Sequence, residues 1–153
     1  PTNGMRDHYD ELTEIIRDFV RPQGEKESPY CEMDFAALKN IDILESEHIL
    51  ENVRELTPYF QSQARKLLDL AIVGDVRGEG FMLGIELVED KISKTPLQVA
   101  HRIYQRCLHY GVIVRPIGHV VVISPPLIMK KIEIDQLLKA VELSIRDVIA
   151  EQK

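Results

Sequence analysis

The stretch IVGDVRGEGFMLGIELVED, residues 72–90, decides the fold. Its glycines at 74, 78, 80 and 84 resemble a phosphate-binding loop, yet such a loop must lead from a strand into a helix, so that amide donors and the helix dipole meet the anion. Here FMLGIELV, residues 81–88, continues with large and β-branched apolar residues after the glycines. That composition suits two strands joined by a tight glycine turn, not a strand opening into a helix.

Outward from this hairpin the chain returns to helical spacing. TPLQVAHRIYQRCLHYG, residues 95–111, has Thr95 as an expected cap, Pro96 at the first helical position, a core face of Ala100, Ile103, Tyr104, Cys107 and Leu108, and Gly111 as its stop. GVIVRPIGHVVVISPPL, residues 111–127, supplies two more expected strands, 112–116 and 119–124. Ser124, Pro125 and Pro126 end the second, because proline donates nothing to a ladder. Residues 132–150 repeat apolar side chains at i, i+3, i+4 and i+7, from Ile134 to Ile149, and read as a closing helix. Upstream, residues 37–67 carry a long helical pattern, with Ser46 as a cap for its second part and Pro58 expected to kink or restart it behind Thr57. Tyr9 to Val20 mark a short amphipathic helix over 6–20, followed by a polar, proline-bearing linker. The order is helices, then ββαββα, which implies an α+β fold: a small mixed or antiparallel sheet of about four strands covered by helices. The expected division is residues 1–30, a leader helix and linker, and 31–153, the folded domain.

Composition removes several classes of function. The chain has 153 residues with 19 basic against 25 acidic, a net charge of -6, and no basic run beyond Lys130-Lys131, which leaves no electrostatic footprint for nucleic acid. No apolar stretch approaches the roughly 20 residues of a membrane span, and the start lacks a signal-peptide core, so the expectation is a cytoplasmic protein without a membrane partner. Cys31 and Cys107 have no CxxC spacing, and the five histidines make no HxxxH pair, so neither disulfide nor metal is expected. Ser124 has no His and Asp arrangement beside it in sequence to mark a nucleophile.

Arg115 is the candidate binding residue. Pro116 biases the residue before it toward extended geometry, so the guanidinium projects from a stiff backbone. A guanidinium so held can take a carboxylate through two parallel hydrogen bonds. The competing reading is a strand-end arginine that is solvated or paired with a structural Asp or Glu.

ALKNIDILE (37–45), VGDVRGEGFMLGIELVEDK (73–91), GVIVRPIG (111–118) and ISPPL (123–127) before an amphipathic helix resemble the C-terminal small domain of class III aminotransferases. These are pyridoxal-phosphate enzymes of fold type I that include ω-amino acid:pyruvate, diaminopelargonate and ornithine or putrescine transaminases. The resemblance runs from about Ala36 to the end and implies amino-group transfer to a 2-oxo acid, pyridoxal phosphate as cofactor, and Arg115 as the anchor for a substrate carboxylate. It also implies that Arg77 and the glycines after it are structural. The family's Schiff-base lysine and cofactor-binding residues belong to a large domain upstream of this region, so no catalytic or cofactor-binding residue is assigned to this chain and binding of the cofactor by the chain alone is not expected. The family's T-[YF]-S-G-H-P segment is replaced by KESPYC, and Lys26, in its polar linker, is no substitute for the Schiff-base lysine. Two readings follow: a homo-oligomeric or large-domain-completed aminotransferase part acting on a small amino acid or amine, or a non-catalytic binding or dimerisation module built on the same fold.

Overall fold

A computed structural model describes residues 31–151. The expected helix at 6–20, the linker and Lys26 lie outside the described residues. The chain divides into two units, one reaching residue 49 and one from residue 50 onward. In the first, helix α1 runs Cys31–Ser46. Ser46 ends α1, its hydroxyl donating to Ile43 O at 3.5 Å, so it is not the cap of the next helix. The break comes instead at Glu47 and His48, where His48 adopts a φ of 53°.

The second unit holds α2 (Ile49–Arg65), a 3-10 turn (Lys66–Asp69), β1 (Val73–Glu79), β2 (Met82–Leu87), α3 (Ala100–His109), β3 (Arg115–Ile117), β4 (Val120–Ile123) and α4 (Lys131–Ala150). The strands lie in the order β1-β2-β4-β3, each antiparallel to its neighbours. The fold is α+β. β2, α3 and β3 form a crossover whose two strands are parallel, with β4 inserted between them, a split β-α-β unit.

Both hairpins close through two-residue loops with glycine first: Gly80 at φ 54° and Gly118 at φ 57°. Positive φ at that position matches the right-handed twist of the strands it joins. Gly78 answers a different demand, since a Cβ there would lie 2.0 Å from Met82 O.

One sheet face is the core. Leu83, Ile85 and Leu87 of β2 and Val121 and Ile123 of β4 pack with Ile103 and Cys107 of α3, with Ile134, Val141, Ile145 and Val148 of α4, and with Phe60 and Ala64 of α2. Phe60 and Phe81 meet edge to face, with ring centroids 5.6 Å apart. Cys107 is a buried free thiol, as its place on the apolar stripe predicts, and burial pushes it above the usual thiol range.

Two helices and one strand differ from expectation for tertiary reasons. α3 starts at Ala100, not at Pro96, because the segment before it is held alongside β2: Leu97 N donates to Leu87 O at 3.0 Å and Glu89 N to Thr95 O at 2.8 Å. α2 runs through Pro58 without restarting; Thr57 gives its hydroxyl to Val53 O at 2.6 Å rather than capping a new helix. The strand expected over 112–116 pairs only from Arg115, because Val112 N is taken by Cys107 O. That bond, with Gly111 N to Leu108 O and Gly111 at φ 77°, forms the two-bond cap typical of a glycine stop.

Candidate functional site on the open sheet face

Side chains alternate across a strand, so the residues between the core positions share the opposite face. They are Asp75, Arg77 and Glu79 of β1, Met82, Gly84 and Glu86 of β2, Val120 and Val122 of β4, and Arg115 and Ile117 of β3. No described residue of the second unit buries Met82 or Ile117, which are 60% and 52% exposed.

Two arginines stand on this face in one cross-strand row. Arg77 lies opposite Gly84, Gly84 opposite Val122, and Val122 opposite Arg115. Their surroundings differ. Arg77 Nη1 donates to Asp75 Oδ2 at 2.9 Å and to Glu86 Oε2 at 2.8 Å. The guanidinium holds both carboxyls below their ordinary range, and the two carboxylates raise Arg77 in turn. Glu86 Oε1 also lies 3.5 Å from His119 Nε2, so the cluster reaches the β3–β4 turn. Arg77 is a structural cation whose charge is already answered. The Asp-x-Arg spacing on β1 was visible in sequence, but Glu86 and His119 join only through strand register.

Arg115 is exposed, and its guanidinium makes no hydrogen bond or ion pair with any described residue. Its neighbours in the row, Val122 and Gly84, are neutral. Backbone pairing to β4 and the following Pro116 fix where it starts, and its five N–H donors remain available. A solvated guanidinium at the end of an apolar row has the chemistry to take one carboxylate bidentately.

Residues 33–145 match the Aminotransferase class-III family. The chain belongs to the class III aminotransferases. It is 40% identical over 116 residues to the adenosylmethionine-8-amino-7-oxononanoate aminotransferase of Methanocaldococcus jannaschii, a match covering 73% of this chain and 25% of that one. It is 38% identical over 106 residues to the putrescine–pyruvate aminotransferase of Pseudomonas aeruginosa, covering 67% of this chain and 23% of the relative. The crystal structure of the Methanocaldococcus enzyme superposes with a TM-score of 0.74 at 37% identity, over 82% of this chain and 30% of that one. An aminotransferase from Vibrio fluvialis in its PMP-bound form gives 0.73 at 39% identity, over 75% and 26%. The chain thus spans about a quarter of the length of these aminotransferase relatives.

A pyridoxal-phosphate site needs a lysine that can form the Schiff base, and the described residues of the open face supply none. Four of the described lysines are committed elsewhere: Lys91 Nζ donates to Leu68 O, Lys94 Nζ to Gly74 O, Lys139 pairs with Glu142, and Lys131 lies over the Tyr59 ring. No cluster of His, Cys, Asp and Glu among the described residues has the geometry to hold a metal ion, and no described helix is long and apolar enough to cross a membrane.

Proposed function

We propose that this chain is the C-terminal small-domain part of a pyridoxal-phosphate-dependent class III aminotransferase, transferring an amino group from a small amino acid or amine to a 2-oxo acid. In this reading Arg115 anchors a substrate carboxylate in a site whose cofactor half, with the Schiff-base lysine, belongs to the rest of the enzyme. The observation that supports it is the contrast within one row: Arg77 is neutralised by two carboxylates, whereas Arg115 is exposed and without an ionic partner among the described residues. An ion-paired structural arginine at 115 would have a carboxylate beside it, and substrate preference separates an anchor from an arginine that is only solvated. We extend the reading to a cytoplasmic enzyme that works as a homo-oligomer completed by its large domain.

The test is complementation. The chain is mixed with the separately expressed remainder of the Methanocaldococcus relative, and turnover is compared for an ω-amino acid and for the matching amine that lacks the carboxylate. Arg115→Ala is expected to erase most of the preference for the acid, by roughly tenfold to a hundredfold, since a charge-assisted hydrogen bond contributes about 1.5–3 kcal/mol. Arg115→Lys is expected to lose most of it too, because an ammonium has no planar fork. Retention of the full preference in Arg115→Ala, alongside a large fall in melting temperature, overturns the assignment.

A further inference from the structure

The two edges of the sheet are finished differently. Along the free edge of β1, side chains cover the outward backbone groups: Gln61 donates to Gly78 O at 3.2 Å, Lys94 to Gly74 O at 2.5 Å, and Asp75 accepts from Val76 N at 2.8 Å. Covered groups cannot template another strand. Among the described residues the β3 edge has no such cover. Upstream of Arg115, the main-chain groups of Ile113 and Val114 make no hydrogen bond with any described residue.

This bare segment has the character of a strand. Val112, Ile113 and Val114 are all β-branched, and their side chains alternate, Val114 buried in the core and Ile113 81% exposed on the side of Arg115. A β-branched run with unpaired backbone beside an edge strand is a site for strand addition. We infer that Val112–Val114 is one half of a two-stranded contact, and that its other half is a short extended segment from the three quarters of the polypeptide that its aminotransferase relatives have beyond the matched region. This rests on the reading of the chain as part of a longer enzyme.

The free groups define the incoming segment. Val112 N–H is spent on Cys107 O, and Pro116 has none. In a two-residue hairpin the closing pair, Ile117 with Val120, faces inward, so Arg115 also turns its backbone to β4 while Val114 turns outward. Val114 N–H is therefore the single outward donor, among carbonyl acceptors at 112, 114 and 116. The partner segment donates more than it accepts, spans two to four residues by this count of outward groups, and ends before Pro116 obstructs it. Its side chains on the open face lie against Ile113 and next to Arg115, which gives the anchor a wall on the side that is open in this chain.

Hydrogen–deuterium exchange tests this on the whole 153-residue chain, alone and mixed with the separately expressed remainder of the Methanocaldococcus relative. The amide of Val114, the outward donor, is expected to exchange fast alone and at least tenfold more slowly in the complex. Ile113→Lys, an edge charge at an exposed position, is expected to weaken complex formation by about tenfold or more, while Ile92→Lys, at an equally exposed position, leaves it unchanged. A complex that forms with the Val114 amide still fast overturns the inference and leaves the proposed function standing. Absence of any complex overturns both. Concentration-dependent protection of 113–114 in the chain alone, with dimers in sedimentation, makes a second copy the occupant and also overturns the inference as stated.

Discussion

Arg77 and Arg115 stand in one cross-strand row of the sheet's open face, separated by Gly84 and Val122, and among the described residues only Arg77 has carboxylates paired with it. The same residue type therefore does two jobs, and stability separates them. Arg77→Ala leaves Asp75 and Glu86 as neighbouring like charges and is expected to lower the unfolding free energy by about 1 kcal/mol, a shift of a few degrees in Tm. Arg115→Ala removes no hydrogen bond or ion pair with a described residue, and its stability is expected to stay within the scatter of neutral surface changes, about 0.5 kcal/mol. Thermal melts of the two single variants decide it; equal losses would mean that Arg115 has a structural partner.

Acid should reveal the Arg77 cluster. Asp75 and Glu86 are both held below the usual carboxylate range, first by the hydrogen bond from Arg77. A group whose folded-state pKa is depressed contributes stability above its unfolded value and loses it as pH falls through the folded one. Urea midpoints are thus expected to fall more steeply below about pH 4 in the wild type than in Asp75→Asn/Glu86→Gln. Asp75 and Arg77 are well exposed, so the difference should be modest and should shrink further in 1 M salt. Identical slopes in the two proteins would remove the cluster from the acid response.

Much of this fold was legible because its signals are local. The β1–β2 hairpin follows from apolar runs broken at Gly80, α4 from a stripe that begins at Ile134, and the end of α3 from Gly111, whose positive φ a side chain would oppose. Thr95-Pro96 misled because a good helix start was overridden by backbone bonds to β2 that join residues close in space, as Leu97 to Leu87. At Pro58, where a kink or a restart was expected, there is no restart: the helix continues past it because Phe60 and Ala64 beyond it are fully buried in the core. Of the site, Arg115 was found from its own residue type and Pro116. That it lacks a carboxylate while Arg77 has two depends on register across four strands, which no local pattern encodes.

Two glycines separate steric need from backbone need. Gly78→Ala drives a methyl into Met82 O, and backbone cannot step aside cheaply, so the loss is expected to exceed about 3 kcal/mol, in the range kept for severe steric faults. Gly118→Ala meets nothing within 4 Å and has only its φ of 57° to oppose it, so about 1–2 kcal/mol is expected. Chemical denaturation of both variants measures the gap. A Gly118→Ala loss as large as that of Gly78→Ala would show that the β3–β4 turn is constrained by more than its own dihedral.

Asn52 joins α2 to the loop between β4 and α4, a link that no local sequence pattern marks. Its side-chain amide donates to Leu127 O at 2.8 Å and to Met129 O at 3.2 Å, tying α2 to the chain between β4 and α4 across 75 and 77 residues. Asn52→Ala leaves two carbonyls without their donor. Where water reaches a carbonyl the net loss of a hydrogen bond is about 0.5–1.5 kcal/mol, and a buried orphan costs about 1–3 kcal/mol. Leu127 is partly exposed and the Met129 contact is half-buried, so the expected total is about 1–2 kcal/mol, with the second bond contributing more. Because α4 carries most of its own core contacts, the loss should be local: amides of residues 127–131 exchange faster while those at Val141 and Ile145 keep their protection. Uniform acceleration across α4 would mean that Asn52 supports the helix as a whole, and unchanged exchange at 127–131 would mean that the proline pair holds this segment without it.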